Sequence, residues 1–231
     1  CLMIKIQPEI VFKIYNFPVT NTYLASLISV LIIILISLYI NRNLKEKPSK
    51  IQSLVELIYE SIFNFWHSIT GLKNLKIFTF TSAFFIYILF SNLLGILPGF
   101  GSIYIKHGEE KIHILRTTYS DLNMTLALSI LSVLFVNILG LYYFGVNYLK
   151  RFKGFVGLLE LFAEFAKILS FSFRLFGNIF AGETLLIIIG LLLPFLAPIP
   201  FLGLEIFVGF IQSLIFFTLT SVFLKVVLTE H

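Results

Sequence analysis

Arg174 lies in an apolar run, Ser170-Phe171-Ser172-Phe173-Arg174-Leu175-Phe176-Gly177-Asn178-Ile179-Phe180-Ala181-Gly182-Glu183, and the chain stays apolar from Leu185 to Leu193. A guanidinium keeps its proton at any accessible pH. At bilayer depth it costs about 3 kcal/mol on insertion scales, and such a residue points to an ion path. Each helical residue advances about 100°, so Lys167, Ser170, Arg174 and Asn178 form one polar stripe. Glu183, nine residues beyond Arg174, falls on roughly the opposite face and about 13 Å further along the axis. Glu205 and Gln212, seven apart in the next segment, share a face. Glu205 lies near the outer end and Gln212 deeper, so Glu183 and Glu205 can meet near the outer side of one hairpin. Intramembrane acids mark proton relays, and a close carboxyl pair titrates as a unit. A fixed cation beside such a path blocks leakage and attracts a carboxylate on a moving partner.

Other polar residues have simpler readings beside the functional one. Glu160 and Glu164, near the inner interface, suit a proton exit and an ordinary interface pair equally. Asp121 and Asn123 read first as helix-capping residues, although their outer-side position also suits a channel mouth. Arg174 could instead hold a bundle by pairing with a neighbouring glutamate. His67, His107, His113 and His231 are scattered through surface segments and read as exposed. The single cysteine excludes an intramolecular disulfide and a cysteine-based metal cluster, and no cofactor or metal is expected.

The elements that must carry these residues follow from composition. Hydrophobic residues make up 58% of 231 positions and charged residues 13%, against about 25% charged in soluble domains. The expectation is an all-α integral membrane protein with one membrane domain over residues 1–231. It comprises about five membrane helices plus an amphipathic surface helix. The net charge of +5 is read loop by loop, not as a nucleic-acid signal. Residues 1–20 form an outer N-terminal segment, too mixed in character for a signal peptide. Spans are predicted over 21–40, 78–97 and 121–144, each close to the roughly 20 residues a crossing needs. Residues 49–70 repeat apolar positions at threes and fours, which predicts an amphipathic helix. It is placed on the membrane surface with Trp66 at the interface, or alternatively in the cytosol against another subunit. The loop 98–119 is mixed in charge and lies outside. The loops 41–50 and 147–153 are strongly basic, which puts both on the inner side.

Residues 155–193 contain no proline and could form one helix of 39 residues, about 58 Å long. The hydrocarbon core is only about 30 Å thick. Either the helix starts well outside the membrane or it lies strongly tilted. Pro194, Pro198 and Pro200 are expected to break the chain before a last helix over 201–228. The two form a hairpin.

At these residues the chain resembles subunit a of the F-type ATP synthase. The carrying motif is Ser170-x-Ser172-x-Arg174-Leu175-Phe176-Gly177-Asn178-x-x-Ala181-Gly182-Glu183. Glu160-x-x-x-Glu164-x-x-Lys167, Ser120-Asp121-Leu122-Asn123-x-Thr125, Ser91-Asn92-Leu93-Leu94-Gly95-Ile96-Leu97-Pro98 and Glu205-x-Phe207-Val208-x-x-Ile211-Gln212 match as well. The likeness runs from about residue 20 to the end. It implies a proton-translocating stator of the Fo motor with no catalytic site of its own. Arg174 matches the essential stator arginine, Glu183 and Glu205 the outer half-channel pair, and Asn178 and Gln212 polar residues near the arginine. Protons would enter through Glu205 and Glu183 and leave near Ser170, Glu164 and Glu160. The implied partners are the c-ring, subunit b of the peripheral stalk, the lipid membrane and the translocated protons; no nucleic acid is implied. The membrane is expected to be the bacterial cytoplasmic membrane, with the mitochondrial inner membrane as the alternative. The family also favours a strongly tilted hairpin facing the ring. Ile168 stands where many members carry proline, a departure that could change the local bend.

Two other classes compete. A secondary transporter would show inverted repeats with broken helices, and none is visible. A purely structural scaffold would have no need of the Arg–Glu set. The chain has no phosphate-binding loop, so nucleotide chemistry would fall to other subunits.

Overall fold

The computed structural model describes residues 8–15, 17–97, 104–107, 110–113, 115–192 and 198–229. Six helices dominate it: α1 (Asn21–Arg42), α2 (Lys50–Thr70), α3 (Leu75–Ile96), α4 (Leu122–Phe144), α5 (Gly154–Leu192) and α6 (Pro198–Thr229). Five of them, all but α2, are long and apolar enough to cross a membrane. Most starts are set by side-chain caps. Thr20 accepts from the Tyr23 amide, Ser49 from Gln52, Asn74 from Lys76, and Asp121 from Asn123. The capping role expected of Asp121 is therefore present. A run of 3-10 turns, Gly145–Phe152, joins α4 to α5. It is bounded by Gly145 and Gly154, at φ +58° and +79°, values that glycine adopts without a side-chain clash.

Helix α5 is unbroken for 39 residues. Its length of about 58 Å is nearly twice the hydrocarbon thickness. The expectation for the prolines needs correction. Pro194 lies outside the described residues, while Pro198 and Pro200 form the first turn of α6. There the missing amide breaks no intrahelical bond.

Helix α6 is the hub of the packing and touches α2, α3, α4 and α5. One core joins Phe84, Ile88, Leu128, Phe171, Leu175, Ile179 and Phe216; a second gathers Trp66, Phe78, Phe85, Phe217 and Leu224. Trp66 is thus fully buried within the protein. Its ring lies 5.5 Å from that of Phe78, and an aromatic side chain of this size contributes a large buried apolar area. His67 is also more than an exposed histidine. It stacks on Phe63, and its Nδ1 lies 2.7 Å from the Leu72 carbonyl oxygen. Between the helices runs a seam of small polar residues, as membrane packing favours. Ser132 and Thr220 meet at 2.9 Å, as do Thr125 and Ser172.

Two short antiparallel hairpins, which the sequence reading did not foresee, flank the helices. Strand β1 (Ile10–Ile14) pairs with β2 (Phe17–Thr20), and β3 (Tyr104–His107) with β4 (Glu110–His113). Strands of four or five residues carry too few positions for a clear period-two pattern.

Candidate ion path on the α5–α6 hairpin

Arg174 is exposed on α5, and among the described residues no carboxylate pairs with it. Its Nη2 lies 3.5 Å from Ser170 Oγ, at the limit of a hydrogen bond. A groove of about 430 Å³ brings Arg174 together with Asn178 on α5 and Gln212 on α6. Phe173, Phe207 and Val208 form apolar walls. Gly177, which also borders it, has nothing within 4 Å of where a Cβ would stand, so the guanidinium keeps open space beside it. Phe162, Phe165, Phe173, Phe207 and Ile211 on the hairpin are exposed too.

A second group lies past Arg174 along α5, in the direction of its C-terminus. Glu205 packs over Gly182, where a Cβ would stand only 3.2 Å from Glu205 Oε1. A glycine immediately before Glu183 is what lets α6 bring the second carboxyl so close. Glu183 follows Gly182 directly in the chain, so the two glutamates come together at this point of the hairpin. Arg116 Nη2 meets Glu183 Oε2 at 3.4 Å, and Thr117 Oγ1 donates to Glu183 Oε1 at 3.2 Å. Glu205 Oε2 and Asn92 Oδ1 are buried and accept no hydrogen bond from any described residue. Asn92 Nδ2 donates to the Gly209 carbonyl at 3.2 Å, one helical turn beyond Glu205.

A third group sits at the other end of α5. Arg151, from the α4–α5 connection, bonds both Glu160 and Glu164, the latter at 3.1 Å. Lys167 Nζ meets Glu164 Oε1 at 2.8 Å and lies 4.5 Å from the centre of the Phe223 ring. Asn137 Nδ2 donates to Glu164 Oε2 at 3.1 Å, and Tyr148 donates to Asn137 Oδ1 at 2.7 Å. Charges of both signs are thereby balanced at partly buried positions, as buried charges require.

The structure therefore gathers Arg174, Asn178, Gln212 and Ser170 in one place, Glu183 with Glu205 in another, and Glu160, Glu164 and Lys167 in a third. Asp121 joins none of them. It caps α4 through Oδ1 and accepts from Thr22 Oγ1 at 3.2 Å through Oδ2, fastening α1 to α4. Asn123 is exposed on the first turn of α4. Sequence reasoning missed Arg116, Thr117, Arg151, Tyr148 and Asn137. Arg116 stood among mixed charges in a long loop, and Arg151 served only as a marker of the inner side. No helical period links either arginine to its glutamate.

A family profile described as ATP synthase A chain matches residues 23–225. The chain belongs to the ATP synthase A chain family. ATP synthase subunit a of Syntrophobacter fumaroxidans is 35% identical over 190 residues, covering 79% of this chain and 73% of the relative. The sodium ion specific ATP synthase subunit a of Propionigenium modestum is 31% identical over 234 residues, with 94% and 77% covered. The chloroplastic ATP synthase subunit a of Stigeoclonium helveticum is 34% identical over 203 residues, with 86% and 80% covered. With five helices among the described residues long and apolar enough to span a bilayer, the chain is a multi-pass membrane protein of the Fo sector, engaged in ion transport and ATP synthesis.

Proposed function

We propose that the chain supplies two offset half-channels to a rotating ring and separates them with Arg174. The observation that carries this reading is the exposed Arg174–Asn178–Gln212 groove, with one carboxyl group of residues to each side of it along α5. A proton enters from outside through Glu205 and Glu183 and neutralises a carboxylate on the c-ring. The neutral carboxyl turns into lipid, which a charged one enters only at a cost of several kcal/mol. After nearly a full turn it releases its proton toward Ser170, Glu164 and Glu160. Arg174 has no carboxylate partner of its own among the described residues, so it is free to meet the carboxylate of each passing ring subunit. Asp121, which caps α4 and fastens α1 to it, and Asn123 beside it relay no protons.

Phe173 and Phe207, the exposed phenylalanines beside Arg174, serve as the ring-facing surface. Subunit b packs elsewhere on the helices, and the complex sits in a bacterial cytoplasmic membrane. Helix α5 lies more than about 50° from the membrane normal, beyond the usual 0–40°, because its length then fits the bilayer. The experiment is Arg174→Ala in the assembled complex. ATP-driven proton pumping and proton-driven synthesis should both be abolished. Normal synthesis would refute the proposal.

A further inference from the structure

The outer carboxyl pair is held unequally. Both oxygens of Glu183 have donors, Arg116 at 3.4 Å and Thr117 at 3.2 Å. Those donors come from the segment that precedes α4, not from the hairpin. Thr117 is itself wedged against α3, since a Cβ on Gly95 would stand 2.5 Å from Thr117 Cγ2. Glu205 Oε2 is buried and accepts no hydrogen bond from any described residue, while its Oε1 rests over Gly182.

We propose that Arg116 is a positioning residue that, with Thr117, pins Glu183 as a stationary carboxylate, leaving Glu205 as the group that carries the proton. The inference rests on the outer relay proposed above and gives its two members different roles. Arginine stays charged at any accessible pH, so Glu183 keeps its counter-charge as long as the pair holds. A buried carboxylate oxygen without a donor is costly, and a proton on that group relieves the cost. The two hydrogen bonds also restrain the Glu183 side chain, whereas Glu205 can change rotamer past a glycine that leaves it room.

The test uses membrane vesicles carrying the assembled complex, with ATP-driven proton uptake read by a pH-sensitive dye. Arg116→Gln should slow uptake about tenfold, and Arg116→Lys should stay within about twofold of wild type. In a Glu183→Gln background, Arg116→Gln should add less than about twofold, because its partner charge is already gone. If Glu183→Gln and Glu205→Gln each leave uptake unchanged, the relay itself is wrong. If they slow it, but Arg116→Gln has no effect or adds its full tenfold to Glu183→Gln, the relay stands and the role of Arg116 is overturned. Should Arg116→Gln fail to assemble, Thr117→Val decides: a slowing that vanishes in the Glu183→Gln background supports the pin, and an unchanged rate overturns it.

Discussion

At the scale of single residues, proximity without equivalence is the theme. Glu183 and Glu205 share one site, so their effects on transport should be coupled. Each single change to Gln should slow proton uptake. The double mutant should depart from the product of the single effects by about threefold or more, as residues coupled in one network do. Strict additivity in the logarithm of rate would mean that they act separately. Gly182 makes a sharper case. An alanine there puts a methyl about 3.2 Å from Glu205 Oε1, which a rotamer change can absorb; a valine cannot be absorbed as easily. Gly182→Val should therefore slow uptake more than Gly182→Ala, with the complex still assembled. Equal rates for the two would remove any role for the close approach.

At the scale of elements, α4, α5 and α6 are locked together by small residues and one ionic cluster. A Cβ at Gly140 would stand 2.6 Å from the Tyr148 ring and 2.7 Å from Val227. Gly140→Val should overpack this junction and destabilise the protein by about 1–3 kcal/mol, read as a lower midpoint of thermal unfolding in detergent. The Arg151 cluster has a related but distinct consequence. Removing a guanidinium that bonds Glu160, Glu164 and Tyr148 leaves partly buried carboxylates short of a partner, a loss of about 3–5 kcal/mol where burial is complete and less here. Arg151→Ala should lower the unfolding midpoint. Arg151→Ala combined with Glu160→Gln and Glu164→Gln should recover part of the loss. A triple variant no more stable than the single one would show that the cluster does not hold α5 to the α4–α5 connection.

At the scale of the whole molecule, the exposed apolar surface has two destinations, lipid and partner. Helices α1 and α2 expose Leu31, Leu35, Ile51, Leu54 and Leu57, while the hairpin exposes Phe173, Phe207 and Ile211 around Arg174. On the ring-facing proposal, single cysteines at Phe173 and Phe207 should cross-link to the ring, and one at Leu35 should not. The tilt of α5 is checked by the orientation of that helix in oriented bilayers or in the intact complex. An axis within about 40° of the normal would refute the tilt and weaken the ring-facing reading.

Much of this was determined by the sequence alone. Five apolar segments long enough to span the bilayer, an amphipathic helix beginning at Ser49, and Arg174 on a stripe with Ser170 and Asn178 all follow from hydropathy and helical period. These signals are local, repeating within one element. The pairing of Glu183 with Glu205 could also be foreseen, because a hairpin fixes which residues of adjacent helices share a depth. Tertiary structure alone decided the rest. Trp66 became part of a core because α3 and α6 enclose it. Pro198 and Pro200 opened a helix rather than breaking the chain. Arg116 found Glu183 67 positions away, and Arg151 found Glu160 and Glu164 9 and 13 positions away, across turns whose path no periodicity encodes. Hydropathy reports burial along one helix, whereas an ion pair between elements depends on how loops return in space, and that depends on the packing of the entire bundle.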